Sequence, residues 1–349
     1  MVYNLYDVII IGAGPSGCRT AEIVARKGYN VLILEEHPKI GLPIQCTGLV
    51  SKKIGKIPKQ IILNKINKAK FCCKNSCFEI RSKEPMLLLN RKKYDIFLAE
   101  RARKAGAKIK LSTRFLDFKD GMVYTNHGKF ETKILVGADG PNSSVAKSAK
   151  LELPKNLLYA LQVRVKSRFD PKNVELHFDS DIALGSFAWI VPESRRIARV
   201  GLMTTKNPNK YLDKFLKRFG RSRISDRTGD FIRYGLVKES VTDNVLLVGD
   251  AVCQLKPFSS GGLVYNKICA EIAGDAIIKA LEQNDFSKEF LLDKYDRKWK
   301  EKIAWPMYQG MIFKYIFSQI SNMPLVFSLA RSLNLGKFAN FFDVDFLQK

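Results

Sequence analysis

The sequence predicts an α/β protein with a Rossmann-like nucleotide-binding domain, an inserted β-rich segment and a helical C-terminus. An apolar N-terminal strand leads into a glycine-rich turn and a helix, strand-like alternation dominates residues 157–239, and apolar helix-forming blocks fill 286–349. The 349 residues, 46% of them hydrophobic, can bury a large core. This length suggests two domains, or one domain that carries an insertion.

The first element is a βαβ unit. Its strand runs into Gly12-x-Gly14-x-x-Gly17, a helix follows, and a second strand ends at Glu35. The first glycine permits the tight turn, the second lets a diphosphate approach backbone N–H groups at the helix N-terminus, and the third lets helix and strand pack closely. Glu35 lies 23 residues after Gly12, where a carboxylate can accept hydrogen bonds from a ribose hydroxyl. The pattern predicts a dinucleotide site but does not choose between NAD and FAD.

Two later strand ends and an arginine favour FAD over NAD. One strand ends in Asp139-Gly140, another ends just before Asp250, and Arg91 opens a basic helical segment. In this order the segments resemble the flavoprotein hydroxylase superfamily, also called the glutathione-reductase-type FAD fold, over residues 5–285. The resemblance implies FAD, with Asp250 at the ribityl and pyrophosphate region, Arg91 near the pyrophosphate, and the Asp139-Gly140 turn bracing the pocket.

The strand pattern and this resemblance together predict a discontinuous domain organisation. The predicted domains are an FAD-binding domain (1–60, 91–156 and 240–285), a β-rich substrate domain (61–90 and 157–239) and a C-terminal helical region (286–349). In this architecture a β-rich insertion between two pieces of the nucleotide fold forms a roof over the substrate.

Three loops carry a narrower resemblance. They are the loop around Cys46, the segment Phe187-Ala-Trp189-Ile-Val191-Pro192, and the loop that runs from Pro257 to Leu263. Together they resemble the geranylgeranyl reductase family, whose members use reduced FAD to saturate isoprenoid chains of archaeal lipids, chlorophyll side chains or quinone tails. Each motif is altered here, since Phe187 replaces a tyrosine, Val191 a phenylalanine and Ser260 a glycine.

This second resemblance implies a set of site residues. The implied flavin contacts are Cys46, Thr47, Gly48, Gly261, Gly262 and Leu263. The implied apolar substrate walls are Phe187, Trp189, Val191, Pro192 and Phe258. We interpret Cys46 as a proton donor or flavin gate; a small buried cysteine that only packs against the ring is the alternative. Trp189 could equally be a core aromatic residue.

The predicted reaction is saturation of C=C bonds in geranylgeranyl or polyprenyl chains of an archaeal-type membrane lipid or isoprenoid quinone. An isolated alkene has no carbonyl to stabilise negative charge, so hydride from the flavin and a proton must reach adjacent carbons in a dry cavity. A monooxygenase or halogenase is one alternative, because FAWIVP partly matches the Trp-x-Trp-x-Ile-Pro segment of halogenases. A flavin electron carrier or isoprenoid-binding protein is the other. The sequence leaves open whether nicotinamide or ferredoxin supplies the electrons.

Charge and cysteine content bear on partners and location. The net charge of +25 attracts anionic surfaces; a membrane-facing role and a merely solvated surface are equally compatible with it, and nucleic acid is not expected. Seven cysteines without a targeting segment suggest a reducing, cytoplasmic compartment, with the protein peripheral at the membrane. Cys72, Cys73 and Cys77 lack metal-ligand spacing, so we expect a strand pair there and no metal. The apolar helices after residue 290 could dock on a membrane, cover an apolar ligand or pack on the core.

Overall fold

The computed structural model describes residues 5–319 and 323–332. Its strands, in chain order, are β1 (Leu5–Ile11), β2 (Val31–Leu34), β3 (Leu49–Val50), β4 (Ile62–Cys73), β5 (Ser76–Leu89), β6 (Lys108–Lys110), β7 (Phe115–Lys119), β8 (Met122–Thr125), β9 (Gly128–Gly137), β10 (Leu157–Lys166), β11 (Asn173–His177), β12 (Ala188–Pro192), β13 (Ile197–Thr204), β14 (Arg223–Arg233), β15 (Val241–Thr242) and β16 (Val245–Leu247).

The helices, in chain order, are α1 (Pro15–Ala25), α2 (Arg91–Lys104), α3 (Ser144–Ser148), α4 (Pro208–Leu216), α5 (Leu263–Gln283), α6 (Lys288–Leu291), α7 (Arg297–Gln319) and α8 (Met323–Ser332). Single turns of 3-10 helix occupy Lys52–Ile54, Lys59–Ile61, Lys217–Phe219 and Gly249–Val252, and a π-helical turn at Leu292–Asp296 precedes α7.

The chain divides into two compact units. The first contains the described residues up to Leu42 together with 92–156 and 233–311, and the second contains 43–91, 157–232 and the described residues after 311. Residues 43–60, which the sequence groups with the cofactor domain, lie in the second unit because β3 pairs with β5. Residues 286–311 lie in the first unit, where Tyr295 and Trp299 are fully buried. The boundaries of the functional domains remain a prediction.

The first unit is built on an eight-stranded sheet whose main path is β15-β16-β9-β1-β2-β6, with the hairpin β7-β8 attached to β9. The central strands pair in parallel, and Val8 to Ile10 and Val31 to Leu34 are almost completely buried. Unbroken apolar runs of this kind are typical of parallel strands covered on both faces. Helices α1 and α5 pack closely at Gly274, where an added Cβ would lie 2.6 Å from the Ile23 side chain. The predicted α/β fold class is thereby confirmed.

The second unit is built on another eight-stranded sheet, in the order β14-β10-β13-β12-β11-β4-β5-β3. Helix α4 covers one face of it. Alternate residues of β10, β12 and β13 point to that face, where Val163, Ile190 and Val200 pack against Leu212 and Phe215 of the helix. The remaining residues of those strands point to the opposite face.

The hairpin of β4 and β5 carries the cysteine cluster. Cys72 and Cys77 are directly paired across the two strands, and a disulfide joins them, while Cys73 is a buried free thiol. The predicted strand pair is confirmed. The disulfide itself was not expected from a sequence that suggests a reducing compartment.

The C-terminal region is helical as far as it is described. Helices α7 and α8 fall within the predicted helical region, of which residues 320–322 and 333–349 lie outside the described part of the chain. Among residues 5–319 and 323–332, no helix combines the length and apolar character needed to cross a bilayer.

Candidate flavin site and apolar sheet face

The glycine-rich turn of the first unit lies where β1 passes into α1. Gly12 has a φ of +102°, and an added Cβ would lie 2.4 Å from the Ala138 carbonyl oxygen of the neighbouring strand. A Cβ on Gly17 would lie 2.1 Å from the Gly12 carbonyl oxygen. Gly14 differs, because nothing lies within 4 Å of the position of its Cβ. Two glycines therefore permit close packing, while the third leaves open space in front of the helix N-terminus, which is what a diphosphate requires.

Glu35 follows β2 at the same edge of the sheet. One carboxylate oxygen accepts the Ala13 N–H at 2.8 Å, and the other accepts the His37 N–H at 2.9 Å and lies 2.7 Å from its Nδ1. These bonds fix the orientation of the carboxylate beside the glycine turn. The oxygen that accepts the Ala13 N–H keeps a second lone pair, so the group can also accept from a ribose hydroxyl.

Asp250 lies at the end of β16 and contacts the start of α5. Its Oδ1 accepts a hydrogen bond from Asn266 Nδ2 at 3.0 Å and lies 3.0 Å from where a Cβ on Gly262 would be. Its neighbour Gly249 has a φ of +75°, and an added Cβ would lie 2.2 Å from Ser16 Oγ at the start of α1. The structure thus brings Asp250 and Gly262 to the N-terminus of α1, beside the glycine turn.

Two polar side chains that the sequence analysis missed support the end of β16, just before Asp250. Gln254 Oε1 accepts the Gly249 N–H at 2.7 Å, and its Nε2 donates to the Tyr295 hydroxyl, which donates to the Leu247 carbonyl. All three contacts are buried, so they hold the strand end rigidly. Burial raises the pKa of Tyr295 well above its ordinary value, and the phenol stays a donor. Only long-range packing brings Tyr295 here, and no local pattern indicates it.

Asp139 follows β9 and braces a loop. Its carboxylate accepts the Ser143 hydroxyl at 2.6 Å and the backbone N–H groups of Ser144 and Val145. Burial raises the pKa of Asp139 although these hydrogen bonds lower it. Gly140 has a φ of +80° and forms the turn that follows. Asp139 therefore braces residues 143–145, and the predicted bracing of a cofactor pocket by the turn remains a prediction.

The loop that precedes α5 belongs to the first unit. Gly261 accepts the Lys256 N–H and Gly262 accepts the Asn266 N–H through their carbonyl oxygens, while Leu263 is buried as the first residue of the helix. Phe258 is half-buried in the same loop. Contacts of these residues with flavin or substrate remain predictions.

The Cys46 loop lies in the second unit. Gly48 has a φ of +74°, and an added Cβ would lie 3.0 Å from both the Leu89 carbonyl oxygen and Arg91 Cγ. Leu89 N–H donates to the Gly48 carbonyl at 2.9 Å, and Gly48 N–H donates to Cys46 Sγ at 3.3 Å. The structure therefore brings Arg91 to Gly48 and the Cys46 loop, which lie much earlier in the sequence. Cys46 is half-buried.

Three polar residues hold this loop on the sheet. The Thr47 hydroxyl donates to Gln162 Oε1 at 2.9 Å, and the guanidinium of Arg199 donates through Nη1 to the Thr47 carbonyl. Arg199 is itself buried and donates through Nε to Glu193 Oε1 at 2.8 Å. The sequence analysis missed these residues, because a lone arginine in an apolar strand does not reveal its partner.

The sheet register places the Cys46 loop on the same face as three of the predicted substrate residues, Phe187, Trp189 and Val191. Directly paired residues of neighbouring strands project to the same side of a sheet. One continuous row across six strands contains, from β5 to β10, Phe78, Phe71, Leu176, Trp189, Gly201 and Gln162. Since Gln162 binds Thr47, the Cys46 loop lies at one end of this row. We call the row, with its aromatic neighbours described next, the apolar sheet face.

Further aromatic rings extend the apolar sheet face. The ring of Phe178 lies 5.2 Å, centroid to centroid, from both Phe187 and Phe317 of α7, and 6.1 Å from Phe71. Phe187 meets Trp189 at 6.2 Å in an edge-to-face arrangement. Trp189 lies over Gly201, where an added Cβ would approach its ring to 2.5 Å. The buried Trp189 Nε1 has no hydrogen-bond partner among the described residues. Val191 is also buried on this face, whereas the buried Pro192 alternates with it along β12 and pairs with Ala198 of the face that α4 covers.

The first-unit residues fit an FAD. The diphosphate has open space over Gly14, a carboxylate faces the ribose position, and a second carboxylate lies at the end of β16. The buried Asn266 Oδ1, next to Asp250, has no hydrogen-bond partner among the described residues and is free to accept one from a ligand. Glycines, carboxylates and an amide in this order suit a dinucleotide better than an ordinary turn.

Comparisons with known proteins agree with this class. Residues 10–48 match the model of the NAD(P)-binding Rossmann-like domain. The fold superposes on a geranylgeranyl bacteriochlorophyll reductase-like protein from Thermoplasma acidophilum with a TM-score of 0.87, at 23% identity over 99% of this chain and 94% of the other. A flavin-dependent brominase shares the fold with a TM-score of 0.71 and 18% identity, over 96% of this chain and 100% of the other. The fold and the glycine-rich turn define a Rossmann-like dinucleotide-binding protein.

Sequence relatives narrow the class. The chain is 31% identical to the digeranylgeranylglycerophospholipid reductase of Methanosarcina acetivorans, over 99% of this chain and 92% of that protein. It is also 31% identical to digeranylgeranylglycerophospholipid reductase 2 of Methanothermobacter thermautotrophicus, over 94% and 91% of the two chains. The protein belongs to the digeranylgeranylglycerophospholipid reductase family, which confirms the predicted resemblance.

Proposed function

We propose that this protein is an FAD-dependent reductase that saturates C=C bonds in the geranylgeranyl chains of an archaeal-type membrane phospholipid. The observation that carries the proposal is the apolar sheet face with the Cys46 loop at one end. A row of aromatic and aliphatic side chains suits a long hydrocarbon chain, and one thiol at its end suits a reaction that needs a single proton source. Relatives that carry the name of this activity support the same substrate class.

The first unit is proposed to hold the cofactor. Gly12, Gly14 and Gly17 admit the diphosphate at the helix N-terminus, Glu35 accepts from the ribose, and Asp250 with Gly262 contacts the ribityl region. When bound and reduced, the flavin supplies the hydride. The external electron donor is proposed to be a nicotinamide or a ferredoxin.

The apolar sheet face is proposed to orient the alkene and exclude water. Burial of isoprenoid carbon against these rings contributes about 25 cal/mol per Å² of apolar surface removed from water. Binding along the row relies mainly on apolar contact with the isoprenoid chain, and the head group needs polar contacts elsewhere. The buried Trp189 N–H would be directed at a π face or a polar group of a ligand, because it has no protein partner among the described residues.

Cys46 is proposed to supply the proton through Sγ. The Gly48 N–H, 3.3 Å away, can stabilise the thiolate that remains after donation, because a hydrogen bond to the charged form favours it. Gln162 and Arg199 hold Thr47, and this fixes the backbone next to Cys46 and thereby the position of its thiol. The position must be fixed because the proton and the hydride have to reach adjacent carbons.

Anaerobic reduction of the purified protein tests the reaction. The protein is reduced with dithionite, a digeranylgeranylglycerol phospholipid is added, and flavin reoxidation is followed together with product mass. We expect reoxidation with mass gains in steps of one H₂ per double bond. Reoxidation only when oxygen is admitted, with oxygen or halide added to the substrate, would establish the monooxygenase or halogenase alternative. A bound isoprenoid that is never reduced would establish the binding-protein alternative.

We also propose that the C-terminal helices of the second unit dock on an anionic membrane surface. Ile312, Phe313, Tyr315 and Ile316 of α7 are exposed, and so are Leu325, Val326 and Leu329 of α8. Tyr315 leaves 68% of its surface exposed and Leu325 leaves 54%. Apolar surface on a chain of net charge +25 suits the interface of an anionic bilayer.

Vesicle co-sedimentation tests the docking. We expect binding to vesicles with anionic lipid, weaker binding to zwitterionic vesicles, and reduced binding of the double variant Phe313→Ser/Leu325→Ser. Leu116→Ser is the matched control, because Leu116 of β7 is 53% exposed in the first unit. Equal loss in the control variant, or no vesicle binding by the unmodified protein, would contradict the proposal.

A further inference from the structure

A cavity in the first unit is lined by none of the residues assigned to the flavin, although Ser143 and Ser144 of its lining donate to Asp139. It has a volume of about 420 Å³, within the range of about 300–1,000 Å³ that is usual for small-molecule pockets. Its lining consists of Asn142, Ser143, Ser144, Ala146, Lys147, Leu151, Leu153 and Arg233. None of the predicted flavin or substrate residues is among them, so the proposed reductase activity leaves this cavity without a role.

The charged groups of the lining are all cationic. Lys147 and Arg233 face the cavity, and the lining contains no carboxylate. Lys147 is exposed and forms no ion pair with any residue of the described chain. The nearby Asp139 carboxylate is bound by Ser143 Oγ and by the N–H groups of Ser144 and Val145, and it does not pair with either cation. Two cations that share a concave surface attract an anion.

Arg233 is held in place by the backbone. Its Nε donates to the Pro141 carbonyl at 3.3 Å and its Nη1 donates to the Pro154 carbonyl at 2.6 Å. Neither contact neutralises the guanidinium. Its Nη2 makes no hydrogen bond within the described residues, so a fixed and charged donor remains for a ligand.

Neutral donors and an apolar wall complete the lining. The Asn142 amide and the Ser144 hydroxyl form no side-chain hydrogen bond within residues 5–319 and 323–332, whereas the Ser143 hydroxyl is bound to Asp139 and to the Ala146 N–H. Ala146, Leu151 and Leu153 supply apolar surface beside these groups. A ligand that matches this lining carries an anionic oxygen cluster and an apolar or planar part.

We propose that this cavity binds a small molecule that bears a phosphate or a diphosphate. Phosphate oxygens match the guanidinium fork of Arg233 and the point charge of Lys147, and they accept from the amide and hydroxyl donors. The same chemistry is offered by a nucleotide, by the head group of a phospholipid and by free phosphate. The volume and the apolar wall favour a ligand larger than the free ion.

Calorimetric titration of the flavin-loaded, full-length protein tests the proposal. Adenosine diphosphate, glycerol 1-phosphate and inorganic phosphate are titrated separately at physiological ionic strength. Loading with flavin keeps the nucleotide probe out of the dinucleotide site. We expect saturable binding of at least one probe, and the tightest of the three identifies the source of the phosphate group.

Variants locate the binding. Lys147→Gln should weaken it about tenfold, because it removes one charge-assisted hydrogen bond to the phosphate. Arg233→Lys keeps a cation but loses the fork, and should weaken binding while the thermal unfolding temperature reports whether the loop is intact. Lys150→Gln removes an exposed lysine that does not line the cavity and should bind as the unmodified protein does. Absence of saturable binding, or equal weakening by Lys147→Gln and Lys150→Gln, overturns the proposal.

Discussion

In the first unit, the predicted cofactor residues follow the ends of parallel strands, and the surface they form consists of glycines, backbone N–H groups and carboxylates. In the second unit, the predicted substrate residues lie along the middle of a sheet, and the surface is made of rings and aliphatic chains in cross-strand register. The first surface is specified by a short stretch of chain. The second exists only when six strands from two parts of the sequence align.

This difference has a consequence for mutations. At Gly12 the limit is steric and local, so one added methyl group acts directly on the turn. On the apolar sheet face the row is continuous, so a side chain added at Gly201 would displace the Trp189 ring. Trp189 lies two strands away from Gln162, which holds the Cys46 loop, so the effect on that loop is indirect. We therefore expect cofactor binding to fail abruptly and substrate turnover to fail by degrees.

The largest effect is expected for Gly12→Ala. Its Cβ would lie 2.4 Å from a carbonyl oxygen at a φ of +102°, so we expect a loss of about 2–4 kcal/mol of folding free energy and no retained flavin. Gly14→Ala is the matched control, because its Cβ meets nothing within 4 Å. That variant should keep the apoprotein unfolding temperature and lose flavin affinity. Flavin absorbance after gel filtration measures flavin retention, and thermal unfolding measures stability. A Gly12→Ala protein with normal flavin content would contradict the steric role of Gly12.

Cys46→Ser comes second. A serine hydroxyl is a much weaker acid than a thiol, so we expect the rate of substrate-dependent flavin reoxidation to fall about 100-fold, with flavin content unchanged. A residual rate that rises as pH is lowered would indicate that solvent replaces the thiol. Cys73→Ser, a buried thiol elsewhere in the second unit, should keep the rate. If Cys46→Ser turns over at the rate of the unmodified protein, Cys46 is not the proton donor and serves only in packing.

Trp189→Phe is expected to have a smaller effect. The ring stays apolar but loses the buried N–H, so we expect kcat/KM for the lipid to fall about tenfold, the cost of roughly one hydrogen bond. Gly201→Ala should produce a similar loss, because its Cβ would displace the Trp189 ring. Steady-state kinetics with short and long prenyl chains measure the effect. Unchanged kinetics in both variants would place Trp189 in the core alone.

Arg199→Lys addresses the positioning of the Cys46 loop. Lysine keeps the charge but cannot bind Glu193 and the Thr47 carbonyl at once, so we expect kcat to fall by roughly threefold to tenfold while KM changes little. Arg164→Lys is the control, since Arg164 also binds Glu193 but makes no contact with Thr47. If both variants lose the same activity, the effect belongs to the ion pair and not to the loop.

The smallest effect concerns stability at alkaline pH. Burial lowers the pKa of Lys314 on α7 from 10.5 to about 8. Between these values the unfolded chain binds more protons than the folded chain, so the free energy of unfolding should rise with pH across that window and be flat in this contribution below it. Lys314→Met should remove the rise. Urea unfolding at pH 8 and pH 10 compares the two proteins, and an identical pH dependence would show that burial of the amine has no such effect.

The disulfide of the second unit also depends on sheet register. Cys72 and Cys77 pair directly across β4 and β5, next to the stacked rings of Phe71 and Phe78. Around these residues β4 and β5 pair without a register shift, from Lys68 opposite Arg81 to Cys73 opposite Ser76. The sequence predicted the hairpin, because alternating apolar and polar residues specify a strand pair, but only the register brought the two thiols opposite each other.

By itself, the sequence determined the parts of the protein whose geometry is local. The spacing of Gly12, Gly14 and Gly17, followed by Glu35, predicts the dinucleotide turn, and the residues of the Cys46 loop and of FAWIVP identify the family. These patterns work because a turn, a helix N-terminus and a strand end are set by neighbours in the chain.

Only the tertiary structure decided which distant residues meet. Arg199 and Gln162 hold Thr47, Tyr295 and Gln254 hold the strand end before Asp250, and Arg233 closes a cationic cavity with Lys147. Each pairing depends on sheet register or helix packing across many residues. A single sequence does not display such contacts, because a buried arginine or tyrosine in an apolar strand or helix is compatible with many partners until the fold selects one.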